Sequence, residues 1–465
     1  MLSPTHRCLM PPEPAVLAEL YDRYKRSGVA GKISFKEFLA IIGYDDPSVN
    51  IDGMDDGVRI TRAATAAGPQ LFAIPERKVA GSLRILVLLV DFADRPGTRD
   101  VAAYQSMLFS DKQYPTGSLR DFYREVSCGK VSVTGSVHGW LRMSRPYAYY
   151  VNKSSGTNAE LYPANAQGLC EEAVRVAMAA SVPFPRELDL FEDGNITALF
   201  IVHAGLGAES LSSPQDKNEI WSHKWFMPNP VTAGPGLTAS TYLIVPQNCK
   251  LGVCAHELGH LAFQWEDFYD ANYNEDGQYW DGSGNWDLMA SGAYNGRELS
   301  PAHPCGLHKL QHDWVSVKDI GPAKGRTKIT IPPSTGTSGH VVRVHGPKYR
   351  KGQYLFLENR QKAGFDFALP GPGLLVWRVD ESKVNTGPSS AGLTLVQADG
   401  KNDLDNPDDH NQGDAGDPFP GHTSRTSLGD SGPGSTSFTR SPSRVRLEQI
   451  SVTKAGTVSC TVVIT

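Results

Sequence analysis

The chain has 465 residues, of which 40% are apolar and 20% charged, with 46 Gly and 32 Pro; that balance describes an ordinary globular protein and excludes wholesale disorder or a collagen-like repeat. Its 45 basic and 50 acidic residues leave a net charge of −5, so it lacks the broad positive field that phosphate-backbone binding needs, and nucleic acid is not an expected partner. The longest apolar run, 83–90, is broken by Arg84 and falls well short of the roughly 20 residues that cross a bilayer, so no transmembrane segment is expected.

Taken in chain order, residues 14–42 read as two short amphipathic helices. Leu17, Leu20, Tyr21 and Tyr24 line one, and Phe35, Phe38, Leu39 and Ile42 the other, with Ser34 and Glu37 as a capping box. This start shows no recognisable signal peptide, because it has no continuous apolar core of about 7–15 residues. Residues 43–80 turn to Asp, Gly, Ala and Pro without periodicity, which suggests a linker or arm. We therefore divide the chain into a helical N-terminal segment at 1–80, a possible pro-segment, a catalytic region at 81–316 and a β-rich region at 317–465. Within the second, 83–92 and 198–203 are short, nearly continuous apolar runs and read as strands buried on both faces. Residues 118–126 read as a capped helix, 131–137 as an alternating strand and 164–180 as a helix. Beyond Trp314, short β-like runs at 328–331, 340–344, 354–358, 374–379, 393–396, 445–450 and 458–464 are separated by turns. The fold class expected is α+β.

One segment carries chemistry. In 251–270 (LGVCAHELGHLAFQWEDFYD), His256 and His260 stand four apart, so on a helix both imidazoles leave one face and can share a tetrahedral zinc. Leu251, Cys254, Ala255, Leu258, Leu261, Ala262 and Trp265 form an apolar stripe on the other side. Such a helix would bury its back and present the histidines to a cleft. Zinc needs a third protein ligand. A third ligand six residues after the second histidine, past a glycine break, would be Glu266, with Asp267 one residue late and Phe263 where the glycine would stand.

The segment resembles the immune inhibitor A family of secreted bacterial zinc metallopeptidases, which are metzincin-like. Its HExGH followed by Asp-x-Tyr-Asp is matched by His256, Glu257, Gly259, His260, Asp267, Tyr269 and Asp270. Further likeness lies at 83–92, 115–126, 202–209, 221–225, 284–296, 357–364, 373–380 and 413–421, so that only the first eighty residues lack a counterpart. The resemblance implies a mixed sheet with an active-site helix, Asp267 as the third ligand with Glu266 as the alternative, Met289 in a Met-turn, and an extracellular protein.

Chemically, zinc would acidify water, and Glu257 would act as general base. Protein or peptide substrates follow, with Tyr269, Tyr294 or a nearby His as candidates for oxyanion stabilisation. The competing readings are a zinc hydrolase of non-protein amides and a catalytically weak binding protein on the same fold. The acidic stretch 399–417 suits calcium, with Asp414 and Asp417 as first ligands to test. Cys8 could act as a thiolate latch on the zinc. Cys249 and Cys254 are close enough in sequence to pair, and a reduced, buried pair is an equal expectation. A monomer is expected.

Overall fold

The computed structural model describes residues 10–42, 44, 77–212, 218–269, 280–335, 339–383, 391–406, 411–430, 434–439 and 441–465. Helices α1 (Pro14–Arg26) and α2 (Phe35–Ile41) pack through Tyr24 against Phe35 and Phe38. The Ser34–Glu37 box forms as expected, each residue's backbone N–H bonding the other's side chain.

Next come β1 (Gly81–Asp91), α3 (Val101–Phe109), α4 (Leu119–Val126), β2 (Val131–Arg142), α5 (Tyr147–Val151), α6 (Ala166–Ala179), β3 (Leu199–His203), β4 (His223–Gly234), β5 (Leu237–Pro246), α7 (Leu251–Phe263) and α8 (Gly306–Gln311). The five strands form one sheet in the order β2-β1-β3-β5-β4, parallel except for β4, which pairs antiparallel with β5 at the edge. Along β1 the side chains alternate between two cores. Leu83, Ile85, Val87 and Leu89 join α3, α4 and α7 on one face, whereas Leu86, Leu88 and Val90 join α5 and α6 on the other. A parallel strand covered on both faces must be apolar nearly throughout, which is why 83–92 reads as one run interrupted only by Arg84 and Asp91.

Among the elements that escaped sequence reading are α3 and β4. Helix α3, capped by Asp100, has too little polar face to show helical spacing. In β4, Pro228 and Pro230 fall where the register with β5 slips; proline cannot donate to a ladder, so it is tolerated at this sheet edge but hides the strand's alternation.

The remaining strands are β6 (Val315–Ile320), β7 (Gly325–Ile331), β8 (Gly339–Val344), β9 (Gln353–Arg360), β10 (Gly373–Asp380), β11 (Leu393–Leu395), β12 (Val445–Val452) and β13 (Val458–Ile464). They form one sheet in the order β11-β10-β9-β8-β6 and another in the order β12-β13-β7. Strand β6, unread in the sequence, crosses the expected boundary at 316. One face of the five-stranded sheet packs on the three-stranded one through Leu355, Leu357, Val376, Leu447 and Val462. Its other face, with Phe356, Leu375 and Trp377, packs against Phe268, Trp286 and Leu307 of the segments that follow α7.

Candidate metal centre

Helix α7 is buried along its whole length. The apolar stripe faces the core as expected, but the histidine side is covered too. His256, Glu257 and His260 have no exposed surface, and the chain at Leu288 and Met289 packs against His256 and Gly259. Met289 Sδ lies against Gly259, where a Cβ would meet it at 2.8 Å.

The helix ends at Phe263. Gln264 then takes a left-handed backbone, φ 56°, and the Trp265 N–H bonds back to the Gly259 carbonyl at 3.1 Å. The turn residue and the acid three beyond it therefore both fall one position later than the general spacing rule puts them. That shift brings Asp267 to the histidines and leaves Glu266 half-buried, outside the group. Asp270 lies outside the described residues.

Three potential donor atoms converge. His256 Nε2 and His260 Nε2 are 3.0 Å apart, and Asp267 Oδ1 stands 3.3 Å from the first and 3.2 Å from the second. Each imidazole turns its Nδ1 to a carbonyl oxygen, His256 to Leu288 at 2.9 Å and His260 to Trp265 at 2.7 Å. A carbonyl can only accept, so both Nδ1 atoms carry the proton and both Nε2 atoms present lone pairs. Burial, partly offset by the Asp267 carboxylate, pushes His256 down to about 4 and keeps it neutral. Two imidazole lone pairs and a carboxylate oxygen held this close repel one another unless a cation lies between them. Tetrahedral zinc with bonds of about 2.0–2.1 Å separates neighbouring ligand atoms by about 3.3 Å, so the residues present fit the metal.

The other candidates fall as follows. Met289 underlies α7 at Gly259. Tyr294 donates its hydroxyl to the Pro11 carbonyl at 2.5 Å, and the Trp221 indole N–H donates to the Met10 carbonyl at 2.7 Å. The Met10 and Glu13 N–H groups bond the Ser222 and Glu209 carbonyls at 3.2 and 2.9 Å. Residues 10–13 thus lie extended beside the chain that enters the edge strand β4. This track was not foreseen, since nothing local in the sequence pairs Met10 with Trp221. Cys8 lies outside the described residues. Cys249 and Cys254 are both buried free thiols.

In the acidic stretch, Asp399, Asp403 and Asp414 come together, with Lys401 Nζ at 3.1, 3.8 and 3.5 Å from them respectively. Asp417 is directed elsewhere: its Oδ2 accepts from the Trp286 indole at 3.0 Å and from the Asp414 N–H at 2.9 Å. Asp408 and Asp409 lie outside the described residues.

Two histidines four apart on one helix with a glutamate between them, and an acid just past the helix end, are the donor pattern of a metal-dependent hydrolase. The chain belongs to the immune inhibitor A peptidase M6 family, whose catalytic-domain model matches residues 78–322. It is 27% identical to the pre-pro-metalloprotease PrtV of Vibrio cholerae serotype O1 over 344 residues, 60% of this chain and 36% of that protein. It is also 27% identical to Immune inhibitor A of Bacillus thuringiensis subsp. alesti over 256 residues, 46% of this chain and 37% of that one. The chain thus spans about a third of the length of these relatives.

Proposed function

We propose that this chain is a zinc endopeptidase of metzincin-like architecture that hydrolyses peptide bonds in proteins. The observation that carries the reading is the convergence of His256 Nε2, His260 Nε2 and Asp267 Oδ1, all lone-pair donors, in a fully buried site. These three would hold the zinc. The ion would supply Lewis acidity, polarising a carbonyl and lowering the pKa of water to about 7.

Glu257, the residue after the first ligand, accepts the proton of the attacking water on its carboxylate and delivers it to the leaving amine. Met289 forms the floor of the site as a Met-turn. An extended substrate adds beside Glu209 and Ser222 by backbone hydrogen bonds, in the place that residues 10–13 take. In that role 1–80 is a pro-segment that a substrate must displace. The name of the Vibrio relative, a pre-pro-metalloprotease, supports a processed, exported protein, and the reading places this chain outside the cell as a monomer. No helix among the described residues is long and apolar enough to cross a membrane.

The test is casein hydrolysis by the zinc-loaded chain and by Met10→Asp, which disfavours the buried Met10 contact, each beside its Glu257→Ala counterpart. The expected result is cleavage that rises in Met10→Asp and falls at least about 100-fold without Glu257. Cleavage by neither protein with zinc bound would reject the endopeptidase reading. Turnover of small amides alone would favour the hydrolase of non-protein amides.

A further inference from the structure

Two of the three candidate ligands are indexed by consecutive carbonyls of one turn. The Leu288 carbonyl accepts from His256 Nδ1. The Met289 carbonyl accepts from the N–H of Phe268, the residue after Asp267, at 2.8 Å. What holds the turn is therefore what sets the distance between His256 and Asp267.

Asp287 holds it from within. Its Oδ1 accepts the Met289 N–H at 3.1 Å, closing a side-chain-capped turn around Leu288, and also the Cys305 N–H at 3.0 Å. Its Oδ2 accepts from Ser283 Oγ at 3.3 Å. Arg360, at the end of β9 in the second sheet, holds the turn from outside. It donates through Nη1 to the Trp286 carbonyl at 2.8 Å and through Nη2 to the His303 carbonyl at 3.3 Å. That His303 carbonyl also accepts the Leu288 N–H, at 3.3 Å. Arg360 has no exposed surface, and its charge is met by Asp366, which accepts from Nε at 2.7 Å and from Nη2 at 2.6 Å. A guanidinium buried this completely beside two backbone carbonyls costs desolvation that hydrophobic packing would avoid; it is repaid in fixed geometry, since only a planar fork reaches both carbonyls and the carboxylate at once.

We propose that Asp287 and Arg360 are positioning residues for the metal centre, so that the second sheet is part of the site's framework and not an appendage to it. This rests on the reading of His256, His260 and Asp267 as zinc ligands. Groups that orient a ligand from behind are worth about 10–100-fold in metal affinity.

The experiment titrates the metal-free full chain with zinc against a chromophoric chelator, beside Asp287→Asn, Asp287→Ala and Arg360→Lys, with guanidinium melts of the metal-free proteins in parallel. Asp287→Asn keeps an oxygen acceptor and should retain zinc affinity within about threefold, whereas Asp287→Ala should lose tenfold or more. Less than a tenfold loss in a folded Asp287→Ala, or an equal loss in Asp287→Asn, overturns the proposal. A residue with only a structural role would move the melt and leave zinc affinity unchanged. If Asp287→Ala shows no cooperative melt, Arg360→Lys decides: it keeps a charge for Asp366 but cannot span both carbonyls, so zinc affinity should fall at least about fivefold, and an unchanged affinity overturns the proposal. Failure of the wild-type chain to bind zinc would instead sink the reading of the ligands.

Discussion

Replacing two glycines of α7 by alanine separates what stabilises the helix from what shapes the metal site. At Gly259 a Cβ would stand 2.8 Å from Met289 Sδ and 2.9 Å from Trp265 Cε3, both parts of side chains. At Gly252 it would stand 1.9 Å from the backbone oxygen of Ala293, a clash that no rotamer change relieves. Alanine gains about 1 kcal/mol of helix propensity inside a helix, and overpacking costs about 1–3 kcal/mol. Gly259→Ala should therefore lose about 1 kcal/mol net and Gly252→Ala about 2 kcal/mol net. Zinc affinity should rank the other way. The Gly259 clash pushes Trp265, whose carbonyl holds His260, so zinc binding should weaken about tenfold, whereas the Gly252 clash falls on the Ala293 backbone and not on a ligand's support. Guanidinium melts of the metal-free chain, compared by midpoint at a common slope, and chelator competition measure the two. A Gly252→Ala chain as stable as wild type, or a Gly259→Ala chain that binds zinc normally, would refute the reasoning.

Other outcomes follow from the same packing. Burial raises Glu209, bonded to the N–H and hydroxyl of Ser222, from 4.5 to about 7. A raised carboxyl contributes stability that is complete below the unfolded value of 4.5 and is lost as pH rises through about 7, by roughly 3 kcal/mol at pH 8. Glu209→Gln should therefore flatten the fall in urea midpoint between pH 5.5 and 8, and an unchanged slope would contradict the assignment. His223 and His256, each buried and lowered to about 4, act in the opposite sense: their contribution is present above 6.5 and is lost as pH falls from there towards 4. His223→Gln should accordingly make the metal-free chain less sensitive to acid over that window, as read by its melting temperature. Because the Lys401 ammonium already stands among Asp399, Asp403 and Asp414 and offsets one of their three charges, millimolar calcium should shift the wild-type Tm by less than about 1 °C. A larger shift would mean that the cation displaces the ammonium, and would restore the calcium expectation. Removing the hydroxyl that Tyr123 donates to the Ala255 carbonyl of α7 at 2.6 Å should cost about 1 kcal/mol in Tyr123→Phe.

What was legible in the sequence was local. The pairing of His256 with His260 depends only on helical pitch, and the Ser118 cap of α4 and the short β-like runs of β9 and β10 depend only on near neighbours. Asp267 required more, because the register after α7 is set by where the chain turns left-handed, and Gln264 carries no glycine signature for that turn. Arg360 and Asp287 could not be read at all. Their partners lie in distant segments, and a buried arginine looks in sequence like any surface one. Asp417 misled for the same reason: its acidic neighbours suggested a cation, and the Trp286 indole 131 residues away is what it meets.

The central claim is the metal centre, and metal analysis of dialysed protein tests it most directly. The wild-type chain and Glu266→Ala should each retain about one zinc per chain, while His256→Ala, His260→Ala and Asp267→Ala should retain almost none. Zinc lost from Glu266→Ala and kept by Asp267→Ala, or kept by all three triad variants, would contradict it.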